Sequence, residues 1–208
     1  MTNRTKMKLK ICGMKDADNI KEVAKLSPDF MGFIFYSGSK RFVGNDFIMP
    51  EMPAEIKKVG VFLNDSVENI LVKVKKYKLD VVQLHGDESS DLCRQMQKNV
   101  AVIKAFGIDE HFDFSLLNGY EDCCDYFLFD TKTKEYGGSG KSFDKNILKN
   151  YKSSKPYFIS GGIDSIPVLN TQYPIPFSID VNSKFETSPG LKDINKLKIL
   201  KDELSGKR

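Results

Sequence analysis

Eight short apolar runs recur along the chain, each followed by at least a candidate helix. The first run is Leu9-Lys10-Ile11-Cys12. Asp16 then stands as a helix N-cap ahead of Ile20, Val23 and Ala24, which share one face. The second run, Phe30 to Phe35, is too short and too aromatic for a good helix, and a polar loop and a weak helix candidate near Ala54 to Lys57 follow it. After the third run, Val59 to Leu63, Asp65 and Glu68 have the spacing of a capping box, and Val67, Ile70, Leu71 and Val74 recur at 0, 3, 4 and 7. The fourth run is Val81 to Leu84, before a helical stretch with Leu92, Cys93 and Met96.

The second half repeats the alternation with weaker helices. Val100 to Ala105 precedes a helix candidate at Phe112 to Leu117. Tyr126 to Asp130 precedes a long glycine-rich loop and a short helix near Asp144 to Asn150. Tyr157 to Ser160 precedes a brief helix around Ile166 to Leu169, and Phe177 to Val181 precedes a last helix with Ile194, Leu197 and Leu200. Runs apolar on both faces suit a parallel sheet covered by helices. Eight such units predict an α/β fold, a single (β/α)₈ TIM barrel over residues 1–208, near the lower size limit for that architecture.

Composition adds exclusions. Hydrophobic residues make up 40% and charged residues 29%, ordinary for a soluble globular chain. The net charge of +4 is spread out, with no basic stripe interleaved with aromatics, so no nucleic-acid partner is expected. No apolar run is long enough to span a membrane, and Met1 to Lys10 lacks the core of a signal peptide, so a cytoplasmic location is expected. Cys12, Cys93, Cys123 and Cys124 form no CxxC pair, and only His85 and His111 could join them, so no zinc site and no disulfide is expected.

In such barrels chemistry sits at the C-terminal ends of the strands. That filter returns Cys12, Arg41, Gln83, His85, Lys104, Asp130, Ser160 with Gly161-Gly162, and Asp180 with Asn182-Ser183. Paired glycines let backbone N–H groups approach an anion, and phosphates in this fold often sit between the loops after strands seven and eight. Alone, each residue also has an ordinary structural reading. Cys12 fits as a small buried hydrophobe, Asp130 as a helix cap, Arg41 as a solvated loop cation and His85 as a loop tie. Lys10 is expected on the other strand face or deeper in the barrel, and nothing in the sequence shows how the Cys12 thiol would be activated. Cys123-Cys124 reads as packing.

The motifs in order resemble phosphoribosylanthranilate isomerases. They are Lys10-Ile11-Cys12-Gly13-Met14, Ser39-Lys40-Arg41-Phe42-Val43, Val82 to Glu88, Phe129-Asp130-Thr131, Gly137 to Asp144, Ile159 to Ile163, and Asp180-Val181-Asn182-Ser183 through Glu186 to Asp193. The resemblance implies an Amadori rearrangement without cofactor or metal, in tryptophan biosynthesis. It makes Cys12 the general base and Asp130 the general acid. It assigns Arg41 to the anthranilate carboxylate, the backbone of Gly161, Gly162, Asn182 and Ser183 to the phosphate, and places His85 and Asp180 in the substrate site. The implied partner is a phosphorylated small molecule, with the protein a monomer or homodimer. The chain departs from many relatives at Asn182 (serine), Lys184 (glycine) and Lys145 (tryptophan). Another phosphosugar barrel enzyme, an epimerase or an indole-glycerol-phosphate synthase-like one, and a silent phosphometabolite-binding barrel are the alternatives.

Overall fold

A computed structural model describes residues 7–132, 143–164 and 173–206. Eight parallel strands close into a barrel in sequence order: β1 (Lys8–Ile11), β2 (Phe30–Ile34), β3 (Lys57–Phe62), β4 (Val81–Leu84), β5 (Ala101–Ile108), β6 (Tyr126–Thr131), β7 (Tyr157–Ile159) and β8 (Ser178–Val181). The closing pair matches Lys8 with Ser178 and Ile11 with Val181. Among the described residues four α-helices lie between or after them: α1 (Ala17–Lys25), α2 (Val67–Tyr77), α3 (Ser90–Gln97) and α4 (Ile194–Leu204). After β5 and β6 the connections are 3-10 helices, Phe114–Tyr120 and Lys145–Asn150. A small hairpin, β9 (Glu186–Ser188) and β10 (Leu191–Lys192), follows β8. The expected glycine-rich loop at Gly137 to Lys141 and the helix near Ile166 to Leu169 lie outside the described residues.

Period-two alternation sorts each strand into two faces. Phe30, Val59, Val81, Ile103, Leu128 and Phe158 form one packed cluster that fills the barrel. The outward set, including Ile11, Phe33, Phe62, Leu84, Phe127, Phe129 and Val181, packs beneath the helices. Each fully buried aromatic or branched side chain contributes about 1.5–3 kcal/mol. Where the covering elements shrink to 3-10 turns, aromatics fill the gap: Tyr151 packs on Phe129 at 5.3 Å and on Tyr157 at 5.0 Å. Cys93, Cys123 and Cys124 are buried free thiols, and burial pushes Cys93 and Cys124 up to about 12, as packing residues should be.

Helix starts follow the short polar side chains. Asp16 accepts from the Asn19 N–H at 2.8 Å, as its position before the apolar periodicity implies. At α2 the cap is Ser66, not Asp65. Asp65 instead accepts from the Ser66 N–H, Asn69 Nδ2 and Lys73 Nζ at 2.9–3.0 Å, bracing the first two turns from outside. Ala54 to Lys57 is not a helix. Four residues behind Pro50 and Pro53 close a single turn, Ile56 N–H to Pro53 O, and Lys57 already opens β3. β5 runs three residues further than its apolar run, because Gly107 and Ile108 pair with Asp130 and Thr131 of β6.

Candidate active site

The alternation that fills the barrel also delivers polar groups to its mouth. Two residues beyond the apolar cluster, β4 presents Gln83, β6 Asp130 and β7 Ser160 on the inward face. On β1, Lys10 and Cys12 share that face. On β8, Asp180 stands beside Lys10 in register. Lys10 therefore takes the deeper of its two expected placements, and it is not on the opposite strand face. Cys12 and Asp130 open on the same rim.

Cys12 is 5% exposed and hangs from the end of β1, its N–H donating to Val181 O at 2.9 Å. Gly32 on β2 makes the space for it, since a Cβ there would lie 2.7 Å from Cys12 Sγ. The Lys10 ammonium donates to Asp180 Oδ2 at 2.7 Å and lies near enough to the thiol for the two to act on each other's charge. Burial would lower Lys10, but Asp180 and Cys12 overcome it and hold the ammonium above its ordinary range. Burial pushes the Cys12 thiol up; Lys10 and, less strongly, Lys192 pull it down, while Asp180 pushes it up. Asp180 itself is raised by burial, against Lys10, and its Oδ1 has no hydrogen-bond partner. A carboxylate bonded through one oxygen is only half compensated for leaving water.

A second charge cluster lies beside the first. Glu186 on β9 accepts from Arg41 Nε at 2.9 and 3.0 Å and from Nη2 at 2.7 Å. Lys192 on β10 donates to the same carboxylate at 2.6 Å and to Asn182 Oδ1 at 2.7 Å. Burial would raise Glu186, but the bonds from Arg41 and the charge of Lys192 hold it below its ordinary range; burial lowers Lys192 against Glu186. Arg41, which the resemblance assigns to a ligand carboxylate, is thus already clamped along one edge by Glu186. Gly13, at φ +75°, fits where a Cβ would meet Arg41 Cδ and Asn182 Oδ1 at 2.6 Å.

The opposite side carries Asp130. Its Oδ2 lies 3.6 Å from His85 Nε2, and its Oδ1 accepts from the Thr131 N–H at 2.7 Å. His85 Nδ1 lies 2.7 Å from Gln83 Nε2, so Gln83 ties the ring that faces Asp130 through Nε2. Gly161 and Gly162 follow β7 with φ of +80° and +65°. A Cβ on Gly161 would sit 2.3 Å from Thr131 Oγ1 and 3.1 Å from Asp130 Oδ1, so this loop is pressed onto the end of β6. Ser183 opens a one-turn 3-10 helix, Ser183–Phe185, after Asn182.

Lys104 departs from its strand-end expectation. Its ammonium donates to Gly86 O at 2.6 Å and Glu88 Oε2 at 3.0 Å, and Glu88 takes the N–H groups of Asn64 and Gly86. That network latches the ends of β3, β4 and β5 and is structural. Sequence reasoning missed Lys192, Gly32 and the function of Glu186, and left the side of Lys10 open. Period two from Cys12 was the available signal for Lys10; Glu186 and Lys192 gave none, because the hairpin that presents them is irregular. Among the described residues no group of three His, Cys, Asp or Glu could hold a metal ion, and no helix is long and apolar enough to cross a membrane.

Comparison with known proteins converges with this geometry. Residues 9–202 match the family model of N-(5'phosphoribosyl)anthranilate (PRA) isomerase. An N-(5'-phosphoribosyl)anthranilate isomerase from Parabacteroides distasonis is 47% identical over 202 residues, covering 92% of this chain and 90% of the relative. The crystal structure of the phosphoribosyl anthranilate isomerase from Thermotoga maritima superposes with a TM-score of 0.83 at 33% identity, over 96% of this chain and 99% of that one. Another structure of such an isomerase, in complex with reduced 1-(o-carboxyphenylamino)-1-deoxyribulose 5-phosphate, gives 0.78 at 30% identity, with coverage of 96% and 99%. This chain, matched by the family model over nearly its whole length, belongs to the N-(5'-phosphoribosyl)anthranilate isomerases.

Proposed function

We propose that Cys12 and Asp130 divide the proton transfers of the isomerisation this enzyme catalyses in tryptophan biosynthesis, from N-(5-phosphoribosyl)anthranilate to 1-(2-carboxyphenylamino)-1-deoxyribulose 5-phosphate. Asp130 gives a proton to the ribose ring oxygen, the bond from that oxygen to C1 breaks, and the anilino nitrogen forms an iminium with C1. Cys12, as thiolate, removes the proton from C2 to give an enolamine. Proton gain at C1 and loss from the C2 hydroxyl then yield the ketone, so the atoms balance without a cofactor or metal.

The observation carrying this reading is that Cys12 follows β1 and Asp130 stands on β6 at the same end of one closed barrel, with the Lys10–Asp180 pair two residues deeper than Cys12. Burial holds the thiol above its ordinary range, and Lys10 is the buried cation that opposes this most strongly. Glu186 holds Arg41 by Nε and Nη2, and the Nη1 side takes the anthranilate carboxylate. The N–H groups of Gly161, Gly162, Asn182 and Ser183 take the phosphate, with His85 and Asp180 lining the sugar between. The bound species is this one phosphorylated metabolite, in the cytosol, with neither nucleic acid nor membrane as partner, and the protein is a monomer or homodimer.

The test is turnover of freshly made phosphoribosylanthranilate, followed by loss of its fluorescence. Cys12→Ala and Asp130→Asn should each lower kcat by about 10²-fold or more. Full activity in both folded variants would refute the roles.

A further inference from the structure

We propose that Lys145 is a positioning residue for the phosphate loop, holding the Gly161–Gly162 peptide in the orientation that presents the Gly162 N–H to the ligand. It rests on the assignment of that loop to the substrate phosphate made above. Lys145 begins the 3-10 helix after β6, and only 6% of it is exposed. Its ammonium donates to Gly161 O at 3.0 Å.

A peptide group is planar, and in the trans form its carbonyl and N–H point in opposite directions. No described peptide bond is cis. The carbonyl of Gly161 and the N–H of Gly162 belong to one such plane. Fixing the carbonyl on Lys145 therefore aims the Gly162 N–H directly away from the ammonium. The phosphate and Lys145 lie on opposite sides of this peptide, with the lysine bracing it from behind.

The brace is needed because the two residues joined by this peptide are glycines in left-handed conformations, at φ +80° and +65°. Without side chains they offer little resistance to rotation of the plane between them. A rotated plane would turn a carbonyl oxygen toward the phosphate and replace attraction by repulsion. A charged donor resists this better than a neutral one, since hydrogen bonds to ions are the stronger kind. Burial pulls the Lys145 ammonium below its ordinary range, and the charges of Asp130, Asp164 and Asp144 oppose that. Asp130 also lies against Gly161, so the same lysine serves the loop and faces the acid.

Competitive inhibition of the intact enzyme by inorganic phosphate and by anthranilate reads the two ends of the site separately. In Lys145→Met the inhibition constant of phosphate and the KM should both rise about tenfold, with kcat falling less and the anthranilate constant unchanged. Lys145→Arg, which keeps charge and donors, should restore much of the phosphate affinity. Unchanged phosphate inhibition in folded Lys145→Met overturns the inference and leaves the loop assignment standing. No competitive inhibition of the wild type by phosphate removes the loop assignment and the inference with it. A Lys145→Met protein that unfolds, or that loses phosphate and anthranilate together, assigns Lys145 to packing and overturns it.

Discussion

The ammonium of Lys10 and the carboxylate of Asp180 face each other at 2.7 Å on adjacent strands, two residues inward from Cys12, and both act on its sulfur with opposite sign. In the proposed role Cys12 works as a base only when deprotonated, so activity should be present above its pKa and lost as pH falls through it. Lys10 pulls that pKa down and Asp180 pushes it up. Lys10→Met should therefore move the rising limb of kcat/KM against pH to higher pH, and Asp180→Asn should move it lower. Profiles of both variants measured between pH 6 and pH 10 check this; shifts of the same sign would sink the account.

Glu186 holds Arg41 and Lys192 at once, and its side chain is 4% exposed. Glu186→Gln leaves the buried Lys192 and the partly buried Arg41 without their anion, a change that costs roughly 3 kcal/mol. The folded-state pKa of Glu186 is depressed, so its stabilisation is complete above the ordinary glutamate range and is lost as pH falls through the lowered value. The stability gap between wild type and variant, read from urea midpoints, should narrow in acid. KM should rise as well, because Arg41 loses the clamp that orients it. A variant as stable as wild type at pH 7 would show that the cluster carries no such load.

The barrel was legible because parallel strands buried on both faces write themselves as continuous apolar runs, and all eight runs became strands. Strand ends were less so: β5 lengthens through pairing with β6, which no local pattern around Gly107 announces. The Asp65 cap failed because two adjacent polar residues competed, and Ser66 had the extended backbone a cap requires. Cys12, Asp130 and Arg41 stood out by position, as polar groups at strand ends or in the loops beyond them, and their proposed roles came only from the resemblance. Their supporting ions were not, since the partner of Lys10 lies 170 residues away and that of Arg41 lies 145 away. Lys145 could be seen as a departure, but its bond to Gly161 exists only in three dimensions.

Gly161 admits no side chain. Its φ of +80° is costly for any other residue, and a Cβ would lie 2.3 Å from Thr131 Oγ1 and 2.9 Å from the Thr131 backbone N. Gly161→Ala must either shift the loop or push the end of β6, and Asp130 moves with it. The expected loss is about 1–3 kcal/mol of stability and at least about tenfold in kcat/KM, since small displacements of a catalytic group are expensive. Thermal melts and steady-state kinetics on one preparation measure both; wild-type activity would contradict the packing described.

Gly32→Ala makes a sharper demand, because the backbone there is not in the left-handed region and the three atoms nearest the added methyl all belong to Cys12. The new Cβ would lie 2.7 Å from Sγ and 3.1 Å from Cα of Cys12. The thiol side chain can rotate away, so folding should survive while the base leaves its place beside Lys10. We expect kcat to fall by about tenfold or more with KM little changed. The decisive comparison is the double variant Gly32→Ala/Cys12→Ala, which should lose less than the product of the two single losses, because the tightest contact of the methyl is with a sulfur already removed. Multiplicative losses in the double variant would mean that Gly32 acts on something other than Cys12.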